Sequence, residues 1–201
     1  MNPTLGTTLP PTARRPDPLR QAAPAHQLRL GDAVARLDRG GILIAQWPDA
    51  EALAARVEAL GNLQSPVVRL AGGALIGDLS LQDNLMLEPA LADGVLPAGL
   101  LPEIDALFER TGCPIDWPGW ATALPQQATP LAHLQVRVGR ALVADADVLL
   151  LDASEWDDTL VSPAHFSRSF AAQYPWRVLA WATCDRTRAE GLRASLQELL
   201  T

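Results

Sequence analysis

Lysine is absent from this chain of 201 residues, and all 16 of its basic residues are arginines. Without lysine the protein can form no Schiff base, has no amine general base and cannot place an ammonium group on a phosphate. The 16 basic residues are outnumbered by 23 acidic ones, which gives a formal net charge of −7. A domain that binds nucleic acid through phosphate contacts needs a basic face, so we expect no nucleic-acid partner.

Apolar runs long enough to span a membrane are also missing. The apolar stretches GGILIAQ and DVLLLD have the length of strands, whereas a spanning helix needs about 20 apolar residues. Arg14 and Arg15 are not followed by the hydrophobic stretch of a signal peptide. We therefore expect a cytoplasmic protein with no direct membrane span, which reaches a membrane only through a partner.

Cysteines and aromatic residues are few. Cys113 and Cys184 are far apart and match no zinc-ligand spacing, so we expect no metal site and two idle thiols. Aromatic residues make up only 5% of the chain, but six of them are tryptophans. Trp117, Trp120 and Trp156 fall in irregular segments, where such rings often serve protein interfaces; packing in the core is the alternative.

The chain divides into a tail and one folded domain. Residues 1–27 contain six prolines and few large apolar residues, a composition typical of a disordered segment. The domain extends over residues 28–201, and a small helical subdomain rich in proline and glycine is predicted at about 85–130. The 48% of apolar residues is enough for a core without disulfides.

Strands and helices alternate along this domain. The pattern predicts a hairpin or edge strands in LRLGDAVARL and parallel strands in GILIAQ, PVVRL, DVLLLD and RVLAWAT. Helices are predicted in PDAEALAARVEALG, in SLQDNLML behind a Ser80 cap, in LPEIDALFERTG and in SPAHFSRSFAAQY. Two more are predicted over residues 129–146, with Thr129 as the cap, and at the end of the chain, with Asp185 as the cap. The alternation indicates an α/β fold with a largely parallel sheet.

One acidic residue ends the most strand-like segment. Asp152 follows VLLL, and a carboxylate at the carboxyl end of a central strand is where nucleotide-hydrolysing sheets bind magnesium. The alternative is that Asp152 only caps the next turn.

Three segments together resemble the ATPase subunits of ATP-binding cassette (ABC) transporters. GRALVADADVLLLD matches the family at Arg140, Ala141, Leu142, Asp145 and over 149–152. RVLAWATCD resembles the family's last sheet strand, which ends in Thr-His-Asp. GGALIGDLSLQDNLMLEP is similar to the segment after the Q-loop in subunits that drive MCE-type phospholipid transporters, through Gly73, Ala74, Leu75, Asp83 and Asn84. The resemblance covers roughly residues 28–195 and implies a P-loop NTPase-like, ABC ATPase-like fold.

The residues that carry the family's reaction are nevertheless replaced. The turn at 45–52 contains no glycine, and Glu51 stands about where the phosphate-binding lysine belongs. The Q-loop glutamine falls on Ala71, the signature motif on residues 128–132, and the general base and histidine on Ala153 and Cys184. We therefore predict a pseudo-ATPase without cofactor, in which Asp152 is a relic of the magnesium site or a turn cap.

The resemblance implies a structural or regulatory subunit of a membrane lipid transport complex, peripheral at the inner membrane face. Its partners would be a membrane permease and a competent ATPase subunit. Docking to the permease is expected through Leu75, Leu79, Leu85, Met86, Trp117 and Trp120. Two alternatives stay open: an ABC ATPase that hydrolyses with a partner's residues in a composite site, and a ligand-sensing module without turnover. Cys184 and His133 are two further candidates for a reactive site. We expect Cys184 to be an inert thiol, and His133 to be a half-buried imidazole whose hydrogen bond is satisfied.

Overall fold

The computed structural model describes residues 26–30, 33–37, 40–47, 49, 51–52, 55, 68–92, 99–144 and 147–197. Most of the predicted tail lies outside these residues, but its last two positions, His26 and Gln27, belong to the first strand. None of the helices within these ranges has both the length and the apolar content that crossing a bilayer requires.

Four parallel strands form the central sheet in the part of the chain that the structure describes. They are β3 (Ile42–Gln46), β4 (Val68–Leu70), β5 (Val148–Asp152) and β6 (Val178–Thr183). Their order across the sheet is β3-β6-β5-β4, and every pair is parallel. The predicted hairpin is also present: β1 (His26–Leu30) and β2 (Ala33–Leu37) pair antiparallel as a separate sheet. β5 and β6 lie in the middle of the central sheet and are buried, which explains their continuous apolar sequence.

Helical elements follow β4 and alternate with the last strands. α1 (Leu81–Ala92), α2 (Leu100–Arg110), the short α3 (Trp117–Trp120) and a 3₁₀ turn (Pro125–Gln127) precede α4 (Pro130–Val143). α5 (Pro163–Gln173) and α6 (Arg186–Gln197) flank β6 in the chain. The helix predicted after β3 is described only at residues 51, 52 and 55, which are helical.

The helix boundaries follow the predicted caps. Thr129 accepts a hydrogen bond of 3.2 Å from the backbone of Ala132, with Pro130 in the first turn of α4. Ser80 caps α1 by accepting from the Asp83 N–H at 3.0 Å. α4 ends at Val143, three residues before the predicted end at 146. Residues 117–120, predicted to be irregular, form one helical turn that Asp116 caps through the N–H of Gly119.

The main core lies between the sheet and the helices and contains a chain of aromatic rings. Trp156 packs edge-on against Trp181 with 4.8 Å between ring centroids, and Phe166 lies 4.9 Å from Trp156. The indole N–H groups are satisfied, because Trp181 donates to the Ser167 hydroxyl and Trp156 to the Val161 carbonyl. Trp156 is therefore a core residue, which is the second of the two alternatives that the sequence left open for it.

Candidate functional site

The parallel strands end at one edge of the sheet, which we call the carboxyl edge. Gln46 is paired with Thr183, and Asp152 with Ala182. The next residues extend these ladders, because Trp47 donates to the Thr183 carbonyl and Ala153 to the Ala182 carbonyl, each at 2.8 Å. At the carboxyl end of the outermost strand, β4, Ala71 donates to the Leu150 carbonyl at 2.8 Å. The structure thus brings Trp47, Asp152, Ala153, Cys184 and Ala71 to one edge, where α/β sheets bind their ligands.

The helix after β3 is capped at its N-terminus by a carboxylate of the chain itself. Asp49 Oδ1 accepts a hydrogen bond of 2.8 Å from the backbone N–H of Ala52, the geometry of a helix N-cap. Glu51 follows in the same turn and is exposed. Trp47 is half-buried and packs against the smaller apolar cluster around Val148 and Ala182. The positions where a phosphate-binding loop presents its N–H groups therefore hold an indole and two carboxylates.

Asp152 is engaged locally. Its Oδ1 atom accepts hydrogen bonds from the backbone N–H and the hydroxyl of Ser154, at 2.8 and 2.6 Å. This is an Asx turn, so the geometry corresponds to the turn-cap alternative for Asp152. Among the described residues, no group of three or more His, Cys, Asp or Glu side chains is placed to hold a metal ion.

Arg188 on α6 braces the loop after Asp152. Its guanidinium donates to the backbone carbonyl of Ala153 at 3.2 Å, to that of Trp156, and to the Asp158 carboxylate. The hydrogen bond to Asp158 raises the pKa of the Arg188 guanidinium. Ala153, where the family has its general base, is only 2% exposed beneath this brace. The role of Arg188 could not be predicted from the sequence, because nothing in its local pattern indicates a partner 30 residues away.

Cys184 begins the turn into α6 and is a half-buried free thiol. The next residue caps the helix as predicted, because Asp185 Oδ1 accepts from the N–H groups of Thr187 and Arg188 at 2.8 and 3.3 Å. The Asp185 N–H donates in turn to the Thr183 hydroxyl. Thr183 and Asp185 therefore stabilise the strand-to-helix turn in which Cys184 lies.

The residues of the carboxyl edge do not fit a nucleoside triphosphate. An anion at a helix N-terminus needs free backbone N–H groups, and here one of them already bonds to Asp49. Glu51 would face the phosphates with like charge, and Asp152 shares one carboxylate oxygen with two donors of Ser154.

A second candidate surface lies on the loop between β4 and α1. Asn84 is fully buried, and its side-chain amide donates to the carbonyls of Ile76, Leu79 and Ser80 at 3.0–3.1 Å. Its carbonyl oxygen accepts from the Ile76 N–H at 2.8 Å. This clamp fixes residues 76–80 and leaves Ile76 45% exposed, although burial is the usual state of a large aliphatic residue.

The predicted docking residues separate into surface and core. Leu75, Leu79, Met86 and Trp117 are half-buried and accessible in part. Leu85 and Trp120 are 0% and 3% exposed, so their side chains lie in the core of this structure and not on its surface. Leu85 packs on α4 so closely that a Cβ atom at Gly139 would lie 2.7 Å from its Cδ1 atom. Trp120 is covered by the core and by an edge contact with Trp117 at 5.4 Å.

A cavity of about 580 Å³ adjoins this loop, between residues 73–75, the start of α4 and residues 155–160. Leu75, Leu134 and Leu160 supply apolar lining, and Arg137 pairs with Glu155 at 2.5 Å. His133 donates from Nε2 to the Pro125 carbonyl at 2.8 Å, as expected of a half-buried imidazole with its hydrogen bond satisfied. The cavity thus has both apolar lining and a charged pair, Arg137 and Glu155.

Comparison with known proteins gives matches among solved structures. No family model and no curated protein matches the chain. A structure of the ATP-binding subunit of an ABC transporter is similar with a TM-score of 0.56 at 13% identity, over 80% of this chain and 75% of that one. An inward-facing ABC transporter of the metal-chelate type gives a TM-score of 0.53 at 11% identity, over 78% and 67% of the two chains. These likenesses confirm the predicted fold class, an α/β P-loop NTPase-like domain with a parallel sheet.

Proposed function

We propose that the protein is a non-hydrolysing ABC-type subunit with a structural or regulatory role in a membrane lipid transport complex. It would act in the cytoplasm, at the inner face of the membrane, in contact with a permease. One observation carries the non-hydrolysing part: the helix after β3 is capped by Asp49 of the chain itself, with Glu51 beside it.

The electrostatics of this turn oppose phosphate binding. A helix N-terminus attracts anions through its free N–H groups and its partial positive charge. Asp49 already uses that attraction, with an N–H to carboxylate distance of 2.8 Å at Ala52. A phosphate would have to displace this carboxylate, lie near the charge of Glu51 and bind without any lysine. Each of these costs acts before catalysis begins.

The remaining catalytic positions support the same proposal. Phosphoryl transfer depends on positioning and on charge stabilisation by several groups together. Ala71, Ala153 and Cys184 stand where the resemblance places the glutamine, the general base and the histidine. Ala153 is in addition buried below the Arg188 brace, so a side chain there has no open path to a ligand.

Purified protein with Mg-ATP tests the proposal directly. We expect no turnover above background and no thermal stabilisation, whereas a nucleotide at about 100 times its dissociation constant adds about 2.7 kcal/mol. Asp152→Ala is the control for contaminating ATPases, because a contaminant's activity does not respond to that change. Turnover that the variant abolishes would establish a composite or intrinsic ATPase, and stabilisation without turnover would establish a sensor.

The lipid-transport part rests on the loop surface, which we define as Leu75, Ile76 and Leu79. An isolated exposed aliphatic residue is ordinary, but this one is held in place by a buried asparagine with four hydrogen bonds. The surface adjoins the apolar cavity of about 580 Å³. A rigid apolar projection beside a hollow is suited to receive an apolar segment of a partner.

Ile76→Gln tests this contact, and Ile42→Gln is the matched control at the other exposed isoleucine, 39% exposed against 45%. Tagged protein is purified from detergent-solubilised membranes of its own source without ATP. We expect the wild type and Ile42→Gln to retain a multi-span membrane protein together with an MCE protein, and Ile76→Gln to lose both. Equal retention by all three proteins, or no membrane protein with any, contradicts the proposal.

A further inference from the structure

A groove of about 460 Å³ lies between β3, α5 and α6. β3 is the outer strand of the sheet on the side away from β4, the strand that precedes the loop surface. Its floor is aliphatic: Ile42, Ile44, Ala171 and Leu196 line it. Ile42 is 39% exposed there, although it belongs to a strand of the central sheet. The volume falls within the range of about 300–1,000 Å³ that is typical of small-molecule sites.

Two arginines also line the groove, Arg168 on α5 and Arg193 on α6. Both are exposed, and neither makes an ion pair or a hydrogen bond within the described part of the chain. Elsewhere in that part Arg137, Arg186 and Arg188 each have a carboxylate partner. In a chain with a net charge of −7, two unpaired guanidinium groups at one groove form a local positive site.

The aliphatic lining and the two arginines together indicate which kind of molecule the groove binds. Guanidinium groups bind carboxylate or phosphate through paired hydrogen bonds, so the polar end is anionic. The lining named above is aliphatic, which suits an alkyl chain. A protein partner fits less well, because stable protein interfaces bury about 1,200–2,000 Å², and among the described residues of this groove Ile42 is the one large hydrophobic residue that is exposed.

We propose that this groove binds a free single-chain anionic amphiphile, with its alkyl chain on Ile42, Ile44 and Leu196 and its head group between Arg168 and Arg193. Among the described residues, the lining of this groove has none in common with the carboxyl edge or with the loop surface. It adds a small-molecule ligand to a protein for which we propose no reaction.

Calorimetric titration of the full chain with decanoate, below its micellar concentration, tests the proposal. We expect saturable binding at one site. Each methylene that is buried strengthens binding about fourfold, so hexanoate binds much more weakly. Decanol, which has the alkyl chain without the charge, binds about tenfold more weakly than decanoate.

Variants of the two ends of the groove complete the test. The double variant Arg168→Gln, Arg193→Gln weakens decanoate binding about tenfold, and Ile42→Gln weakens it severalfold. Arg110→Gln is the matched control, because Arg110 is exposed, has no partner within the described residues and lies outside the groove. The proposal is overturned if the heat of decanoate titration does not saturate, or if the double variant and Arg110→Gln bind decanoate with equal affinity. It is also overturned if the protein binds anionic vesicles but not decanoate.

Discussion

The Asp49 carboxylate accepts a 2.8 Å hydrogen bond from the backbone N–H of Ala52, so the helix after β3 begins on a negative charge that the chain itself supplies. A phosphate needs those same N–H groups. The cap and Glu51 together make this turn a poor anion site, whatever residues stand elsewhere along the carboxyl edge.

Repair of the catalytic positions alone should therefore fail. In the double variant Ala153→Glu, Cys184→His the base and histidine return, but no cradle for the phosphates exists, and we expect ATP turnover to stay at background. Phosphate release is measured on protein whose fold is checked by circular dichroism, because Ala153 is only 2% exposed. Cys184→His alone, at a half-buried position, provides the folded control. Activity in the double variant would show that residues 45–52 bind phosphate after all.

The burial of Leu85 predicts a stability effect that Ile76 lacks. Leu85→Ala empties space between α1 and α4 and is expected to lower the free energy of unfolding by about 2–5 kcal/mol. Ile76→Ala removes an exposed side chain, so the expected change lies within about 0.5 kcal/mol. Urea denaturation compares the two variants. Similar losses in both would mean that the loop surface is part of the core.

The hydrogen bonds of Asn84 predict that replacing its amide group by a carboxylate strongly lowers the free energy of unfolding. Asn84→Asp keeps the shape but places a carboxylate against the carbonyls of Ile76, Leu79 and Ser80. We expect a loss of about 2–4 kcal/mol in the free energy of unfolding, because a buried group loses its donors and gains charge. Gln126→Glu, the same amide-to-acid change at an exposed position, serves as the control and should be nearly neutral. Equal midpoints in urea for both variants would show that the clamp contributes little.

The burial of the Tyr174 phenol predicts how the free energy of unfolding changes at alkaline pH. Burial raises the pKa of the Tyr174 phenol above its ordinary value of 10.0, and the nearby Arg177 opposes this shift only in part. Below pH 10 the phenol is protonated in both folded and unfolded chains, so it adds no pH dependence. Above pH 10 the unfolded chain releases this proton first, and the folded state loses stability as the pH rises.

The chain has a single tyrosine, so the near-ultraviolet absorbance of phenolate reports Tyr174 alone. We expect this absorbance to appear only together with the loss of tryptophan fluorescence that marks unfolding. Tyr174→Phe removes the titrating group and should flatten the decline of stability at alkaline pH. Phenolate formed near pH 10 in a folded protein would contradict the burial of this side chain.

Local sequence determined the elements and several of their caps. The Ser80, Thr129 and Asp185 caps are formed within three residues of chain, so their spacing alone is sufficient to predict them. The apolar run 148–152 likewise predicted a buried strand, because a strand covered on both faces needs apolar residues at every position. The alternation of these elements was enough to predict the parallel sheet.

Only the tertiary structure decided which apolar residues are covered and which charges are paired. Leu85 and Ile76 are both aliphatic residues near the start of α1, yet the first packs on Gly139 and the second is held outward by Asn84. Arg188 finds Asp158 across 30 positions, and Arg168 and Arg193 meet at a groove with Ile42. Such contacts join residues that are distant in the chain, and burial depends on the partner that packing supplies, so no local pattern contains them.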